Sequence, residues 1–510
     1  MTDGHSNPSP LDPLKRYVPL AVWVIVIFVI LAIPLKIINY GYLPGDDALR
    51  HAAKAVSGKS WSQILILNDT YKIDHEFGWN LLLGKIYHLT DWDTDKLVVF
   101  SVVTLFILVG WSALPWLKRP EAWLATLMLA TLVAAVCGRM TLGRPYLVTF
   151  AVLLTILFLW QKHGSSPPKK WMLLLATALF ALGTFIHGVW YLWVLPLGSF
   201  FLAGEFSWAI SLGFCWAIGV FIGSALTGHP FEYPLQAFKL ALLAVGAHPT
   251  TRTLVTELQP FDGNILAVAI LGGLLVLRQL AKLNAVPLAK TPAFWLVCIC
   301  WVLGFKVGRF WDDWGWPALM VLITCDLQLL LQARFAENSF KRLGLTLGLA
   351  IATFLAVTND ANSRWTNNLT QQYLSVAEHP DELNGWMPDH DGIFYTADMT
   401  LFYQTFFKNP RGDWRYMLGF EPTWMPAEDF EVFHKILWNF GDTKAYAPWV
   451  KKMRPEDRLV IRGERGGPPG IPQLEWNYGV SGIWIGRLPR PVQNGTAPPT
   501  IPATAENSTR

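Results

Sequence analysis

A series of long, nearly uncharged apolar runs constrains this chain more than anything else in it, beginning with Tyr17–Ile38. An apolar stretch of about 20 residues crosses the roughly 30 Å hydrocarbon core of a bilayer as a helix. Inside that core each backbone N–H and C=O must find its partner within the protein, which a helix does by itself. Ten further runs centre on 97–117, 121–137, 147–160, 171–186, 189–203, 207–226, 264–277, 292–308, 315–332 and 343–357. The expected fold is mostly α: a polytopic membrane protein of about eleven transmembrane helices. Composition agrees, because 52% of residues are hydrophobic and only 15% are charged, against about 25% charged in soluble domains. The first run is too long for a signal peptide and no small-residue cleavage site follows it, so it reads as an uncleaved span.

The basic residues locate the sides. Short cytoplasmic loops collect Lys and Arg, and alternate gaps hold Lys15/Arg16, Lys118/Arg119, Lys162/Lys169/Lys170, Arg278/Lys282/Lys290 and Arg334/Lys341/Arg342. These gaps are assigned to the cytoplasm, and the net charge of +4 becomes a topology signal with no nucleic-acid partner implied. Counting crossings from a cytoplasmic N-terminus puts the long first loop 41–96, the loop 227–263 and everything from 359 onward outside. The five cysteines, Cys137, Cys215, Cys298, Cys300 and Cys325, fall in or beside apolar runs, so no disulfide framework, zinc site or thiol nucleophile is expected. A bacterial inner membrane with a periplasmic outer domain fits best, with an endoplasmic-reticulum lumen left open.

Residues 1–358 therefore form the transmembrane domain. Beyond them the pattern changes: strand-like stretches at 392–396, 414–419, 458–462 and 483–487 alternate with helix-like ones such as 427–440, which predicts a small extracytoplasmic α/β domain over 359–490. Residues 491–510, rich in Pro, Thr, Ala and Asn, read as a disordered tail.

Unusual polar residues gather where spans end on the outer side: Asp46-Asp47, Gly143-Arg144-Pro145-Tyr146, His187-Gly188-Val189-Trp190, Gly228-His229-Pro230 and Gly308-Arg309-Phe310-Trp311-Asp312-Asp313. Each alone reads as an interface anchor or helix cap; together they predict one cavity. The sharpest element is Gly41-Tyr42-Leu43-Pro44-Gly45-Asp46-Asp47-Ala48-Leu49-Arg50-His51-Ala52. Asp46 suits the N-cap of a helix from Asp47 through Ala55, which leaves the second Asp to act as a base, a cation ligand or an electrostatic clamp. A second acidic cluster follows at Asp74-His75-Glu76, either folded back beside the first or solvated. The cationic candidates on this side are Arg144, His187, Arg309, Arg252, His229 and His248, with Arg the best fit to a bound anion because its planar fork holds two oxygens. Tyr146, Trp190 and Trp311 are aromatic candidates beside such groups, and aromatic belts also place such residues at interfaces.

An inside N-terminus, acidic residues just after the first span, a long helical first outer loop and an outer C-terminal domain resemble the C-type superfamily of membrane glycosyltransferases, over roughly residues 10–358. The resemblance implies transfer of a sugar from a polyprenyl-phosphate donor to an acceptor that is a lipid, a protein or a polysaccharide, with inversion at the anomeric carbon. Asp46 or Asp47 would map to the first-loop acid, acting as base or metal ligand, and Asp74 or Glu76 to a second acid; the reaction it implies would use the cationic candidates to bind the donor phosphate and the aromatic ones to stack on the sugar. It leaves the cofactor open between none and a divalent cation, Mg or Mn. The alternatives are a transporter or flippase, or another lipid-phosphate enzyme such as a polysaccharide ligase.

Overall fold

The computed structural model describes residues 12–130, 134–246, 259–283, 285–366, 374–439, 441–463, 467–478 and 482–489. The tail 491–510 and the loop residues 247–258 lie outside this set.

Every apolar run forms helix, but the helices differ in length. Seven are long and apolar enough to cross a membrane: Pro13–Ile38, Thr94–Trp116, Tyr146–His163, Lys170–His187, Phe206–Ala225, Gly308–Arg334 and Phe340–Thr358. The remaining four runs give the shorter helices Glu121–Ala130, Trp190–Leu202, Ile265–Leu280 and Pro292–Gly304. The expected eleven spans are thus not established: among the described residues, seven helices carry the length of a span. At 1.5 Å rise per residue the 13-residue helix Pro292–Gly304 reaches only about 20 Å.

The first span illustrates why these segments sit as they do. Its charge-free stretch starts with Pro at the first turn, where the missing N–H costs nothing. Val18, Val22, Val26, Ile30, Ile33 and Ile37 are buried at helical spacing, while Leu20, Val24, Phe28 and Leu35 are exposed between them. One stripe packs against helices Thr94–Ala113 and Phe340–Thr358, and the other faces outward as a lipid-facing surface does.

The basic gaps meet at one end of the bundle. Gln328 Oε1 accepts from the backbone N–H groups of Lys118 and Arg119 at 2.8 and 3.2 Å, Arg119 donates to the Phe335 carbonyl, and Lys162 donates to the Pro115 carbonyl. The turn after Gly204, which carries no basic marker, joins them through a Ser165 hydrogen bond to Glu205. Two buried bidentate pairs close this end, Arg342 with Glu121 at 2.6 and 3.0 Å and Arg278 with Asp326 at 2.7 and 2.9 Å.

At the opposite end lies a five-stranded mixed sheet in the order β2-β1-β3-β5-β4. Its strands are β1 Ile393–Tyr395, β2 Arg415–Tyr416, β3 Arg458–Arg462, β4 Glu475–Tyr478 and β5 Ile483–Arg487. β1 runs parallel to β2 and β3, and β5 antiparallel to β3 and β4. Four of the strands and the helix Ala427–Trp438 match the sequence expectation; β4, Glu475-Trp476-Asn477-Tyr478, alternates as a strand does but is short and was not among the expected strands. The sheet does not stand apart from the first loop. Leu65 bridges β2 at Tyr416, and Phe402, Phe406, Tyr416, Phe420 and Trp424 share a hydrophobic core with Trp61, Ile64, Leu65 and Tyr71.

Candidate functional site

The site begins where the chain leaves the first span. Gly41, at φ 80°, turns it in a conformation that favours glycine, and Asp46 then caps the helix Asp47–Ser57, its carboxylate accepting the Asp47 N–H at 2.7 Å. Arg50 lies one turn on, on the same face as Asp47. Its Nε donates to Asp47 Oδ1 at 2.7 Å and its Nη2 to Glu76 Oε2 at 2.5 Å. Arg50 and His51 are buried, and His51 Nε2 and His75 Nε2 lie 3.3 and 3.7 Å from the same Glu76 oxygen. Arg144 completes the cluster from the turn before Tyr146–His163: it donates to Asp46, and its Nε is 3.4 Å from Asp47. Gly143, at φ 65° and closely approached by Ala48 and Val102, lets that turn come down onto the loop helix.

The charges govern the acids. Burial pushes the Asp47 carboxyl up, but the Arg50 and Arg144 guanidiniums outweigh it and hold Asp47 below the usual carboxylate range. Burial likewise raises Glu76, and Arg50 foremost brings it well below its ordinary value. From the outer domain, the Tyr403 hydroxyl donates to Asp47 Oδ1 at 2.9 Å. Burial first, and then the Asp47 charge, push that phenol well up.

Across from this cluster stand groups from other spans. Arg309 donates to Asp313 at 2.9 Å, Arg139 donates to the same carboxylate, and a π-helical turn at Trp311–Gly315 brings them together. Such turns occur often at functional sites. His187 ends its helix with Nδ1 3.0 Å from the Thr149 hydroxyl. Glu421, half-buried at the start of the turn Pro422–Trp424, comes from the C-terminal region that carries the sheet. All of these except Arg139 line one cavity of about 560 Å³, together with Asp46, Asp47, Arg50, His75, Glu76, Arg144, Tyr146 and Tyr403.

Four of the five polar clusters singled out in the sequence therefore reach this cavity. The fifth does not: His229 is exposed, 3.9 Å from Glu232, and away from the cavity lining. Asp74 shapes the loop instead of facing the cavity, accepting from the Glu76 N–H at 3.0 Å and from Asn80 Nδ2 at 2.7 Å. Of the proposed stacking residues, Tyr146 lines the cavity with its hydroxyl bound to the Arg139 carbonyl. Trp190 packs on Trp216 and donates to the Pro234 carbonyl, and Trp311 is buried against Phe261 and Trp316; neither is among the residues lining the cavity. Arg252 and His248 lie outside the described residues. Sequence reasoning passed over Arg50, His75, Tyr403 and Glu421. Arg50 carried a signal in its three-residue spacing from Asp47; Tyr403 and Glu421, more than 350 residues along the chain from Asp47, carried none.

Asp46 and Asp47 each face a guanidinium, so the positive charge a divalent cation would bring is already present. Among the described residues, no group of three or more His, Cys, Asp or Glu is placed to hold a metal ion. A divalent cation such as Mg or Mn would have to compete with Arg144 and Arg50 for the Asp46 and Asp47 carboxylates.

Seven span-length apolar helices among the described residues and a polar cavity at one end of their bundle define a membrane protein with a built polar site. No protein-family model matches the chain, and no curated protein matches it.

Proposed function

We propose that this chain is an inverting membrane glycosyltransferase that moves a sugar from a polyprenyl-phosphate donor to an acceptor on the outer side of a bacterial inner membrane, with its N-terminus in the cytoplasm. The observation that carries the reading is the meeting of Arg144, His187 and Arg309, from the ends of three spans, with the Asp46–Asp47 pair in one cavity at the mouth of the bundle. A sugar leaves a lipid phosphate only if the charge left on the phosphate is neutralised, and guanidiniums held by fixed carboxylates are preorganised for this. Asp46 and Asp47 keep Arg144 aimed into the cavity; Asp313 does the same for Arg309. A donor with a long isoprenoid chain fits a site at the membrane boundary with exposed apolar helices beside it.

A transport role finds less support. Transporters place ionisable groups near the middle of the membrane on broken helices. Here Glu121, Asp326, Arg278 and Arg342 are tied in bidentate pairs at the far end. The test uses the full chain in native membranes with a panel of polyprenyl-phosphate-linked hexoses and pentoses, reading release of polyprenyl phosphate by mass spectrometry. The wild type consumes at least one donor. Arg309→Lys, which keeps the charge and loses the fork, lowers turnover of that donor about ten- to hundredfold, as loss of a charged hydrogen bond of about 1.5–3 kcal/mol requires. Consumption of no donor by the wild type rejects the reading, and undiminished turnover in Arg309→Lys removes that residue from it.

A further inference from the structure

We propose that Glu421, on the outer-domain wall of the cavity, is the general base that takes the proton from a hydroxyl of the acceptor. The acceptor then enters between that wall and the bound donor. This rests on the glycosyl-transfer reading above and names the partner chemistry of the same site: an acceptor bearing a free hydroxyl.

The first-loop acids are poorly placed for the task. Asp46 is engaged by the Asp47 N–H and by Arg144. Asp47 accepts from Arg50 and from the Tyr403 hydroxyl, with Arg144 beside it. A carboxylate surrounded by such donors is a weak proton acceptor, because each donor stabilises the charged form it would have to give up. Glu421 is the opposite case. It lines the cavity, and the Thr423 hydroxyl donates to its Oε1 at 3.4 Å. Its backbone is tied down through the Trp424 N–H, which donates to the Glu421 carbonyl at 3.1 Å. The turn is braced in turn by the first loop, where the Asn68 N–H donates to the Trp424 carbonyl at 2.7 Å. The carboxylate is thus held in position from behind.

The charged and titratable groups acting on it come from several elements: Arg309 from the last cavity-lining span, Asp47 and Arg50 from the loop helix, and Tyr191 from the turn after His187. Burial dominates and pushes Glu421 up to about 7, with the Arg309 charge holding it partly down. A base with a pKa near the working pH combines a deprotonated resting form with useful basicity.

The step balances without a further reactant. The acceptor oxygen forms a bond to the anomeric carbon as its proton passes to Glu421; the bond from that carbon to the phosphate oxygen breaks, and its electron pair leaves with polyprenyl phosphate. The protonated Glu421 returns its proton to water between turnovers.

The experiment uses the full chain in nanodiscs, the panel donor that the wild type consumes, and a crude membrane fraction of the source cell as acceptor. Wild-type kcat rises with pH through about 7. Glu421→Gln lowers kcat by about 10² to 10⁴, leaves the KM for donor within about twofold and abolishes the rise with pH. Glu421→Asp, which keeps the carboxylate but shortens its reach, gives an intermediate kcat and keeps the pH dependence, separating a chemical role from a structural one should the Gln variant unfold. Wild-type kcat in Glu421→Gln, or an unchanged rise with pH in that variant, overturns the assignment while leaving the glycosyl-transfer reading intact. Failure of the wild type to consume any donor overturns both.

Discussion

Arg50 is the residue on which the acidic half of the site turns, because a single buried guanidinium bridges Asp47 and Glu76. Removing one partner of a buried pair leaves the other charge uncompensated, at about 3–5 kcal/mol. Glu76→Gln is expected near about 3 kcal/mol, the low end of that range, since the amide oxygen still accepts one hydrogen bond from Arg50. The loss depends on pH with a definite sign. Glu76 is held well below its ordinary value in the fold, so its contribution is fully present above the unfolded value of about 4.3 and fades as pH falls below it. Melting of purified protein should show a Tm gap between wild type and Glu76→Gln that is constant from about pH 7 to 5 and narrows below about pH 4. A gap that persists undiminished to about pH 3 would mean the pair does not set it. At this scale the adjacent acids Asp46 and Asp47 were legible from the sequence, because two carboxylates side by side exceed what one cap needs. Arg50 was legible only in part: its three-residue spacing puts it beside Asp47, but until its second partner Glu76, 26 residues on, is in place, a basic residue in a short polar helix reads as solvent-facing.

At the scale of elements, apolar patterning located the seven span-length helices found among the described residues but could not tell such a span from a shorter apolar helix. Pro292–Gly304 and Ile265–Leu280 are as apolar as the spans beside them, and only their ends, set by Gly, Pro and polar residues, decide their reach. Turns are where the elements are locked. Gly188 follows the helix Lys170–His187 at φ 68°, with the His75 carbonyl 2.6 Å and the Tyr233 hydroxyl 2.8 Å from where a Cβ would stand. That hydroxyl donates to the carbonyls of His75 and Thr184, tying the acidic loop to the span. Gly58 ends the helix Asp47–Ser57 at nearly the same φ, 65°, with nothing within 4 Å. The two positions separate backbone strain from crowding. Gly58→Ala is expected to cost about 1–2 kcal/mol for the left-handed conformation alone. Gly188→Ala adds about 1–3 kcal/mol of overpacking to that. Chemical denaturation of the two variants checks the difference; equal losses would show that His75 and Tyr233 give way freely.

Taken whole, the molecule is less divided than its sequence suggests. The change in pattern beyond residue 358 reads as a boundary, and the strands it announces are there. Yet the first loop supplies part of the outer domain's core and an extra edge to its sheet. Ile66 donates its N–H to the Tyr416 carbonyl at 2.9 Å, Trp61 packs on Phe420 with ring centroids 4.8 Å apart, and Tyr71 stacks on Trp424 at 3.9 Å. These contacts join residues hundreds of positions apart, so no local pattern announces them, and for the same reason the outer-domain wall of the cavity could not be read in advance. They make the loop and the outer domain one cooperative unit, which also carries Asp47, Arg50, Tyr403 and Glu421. Trp61 is buried at the centre of the seam, and its replacement by Ala should cost about 3–5 kcal/mol. Hydrogen exchange on the full chain tests how far that loss spreads. In Trp61→Ala, amides of Leu65–Asn68, of β2 and of the turn Pro422–Trp424 should lose protection together, while the bidentate pairs at the far end of the bundle keep theirs, because stability is shared within a cooperative unit and not across units. Faster exchange confined to residues 59–68 would show instead that the outer domain holds its fold, and its side of the cavity, without the loop.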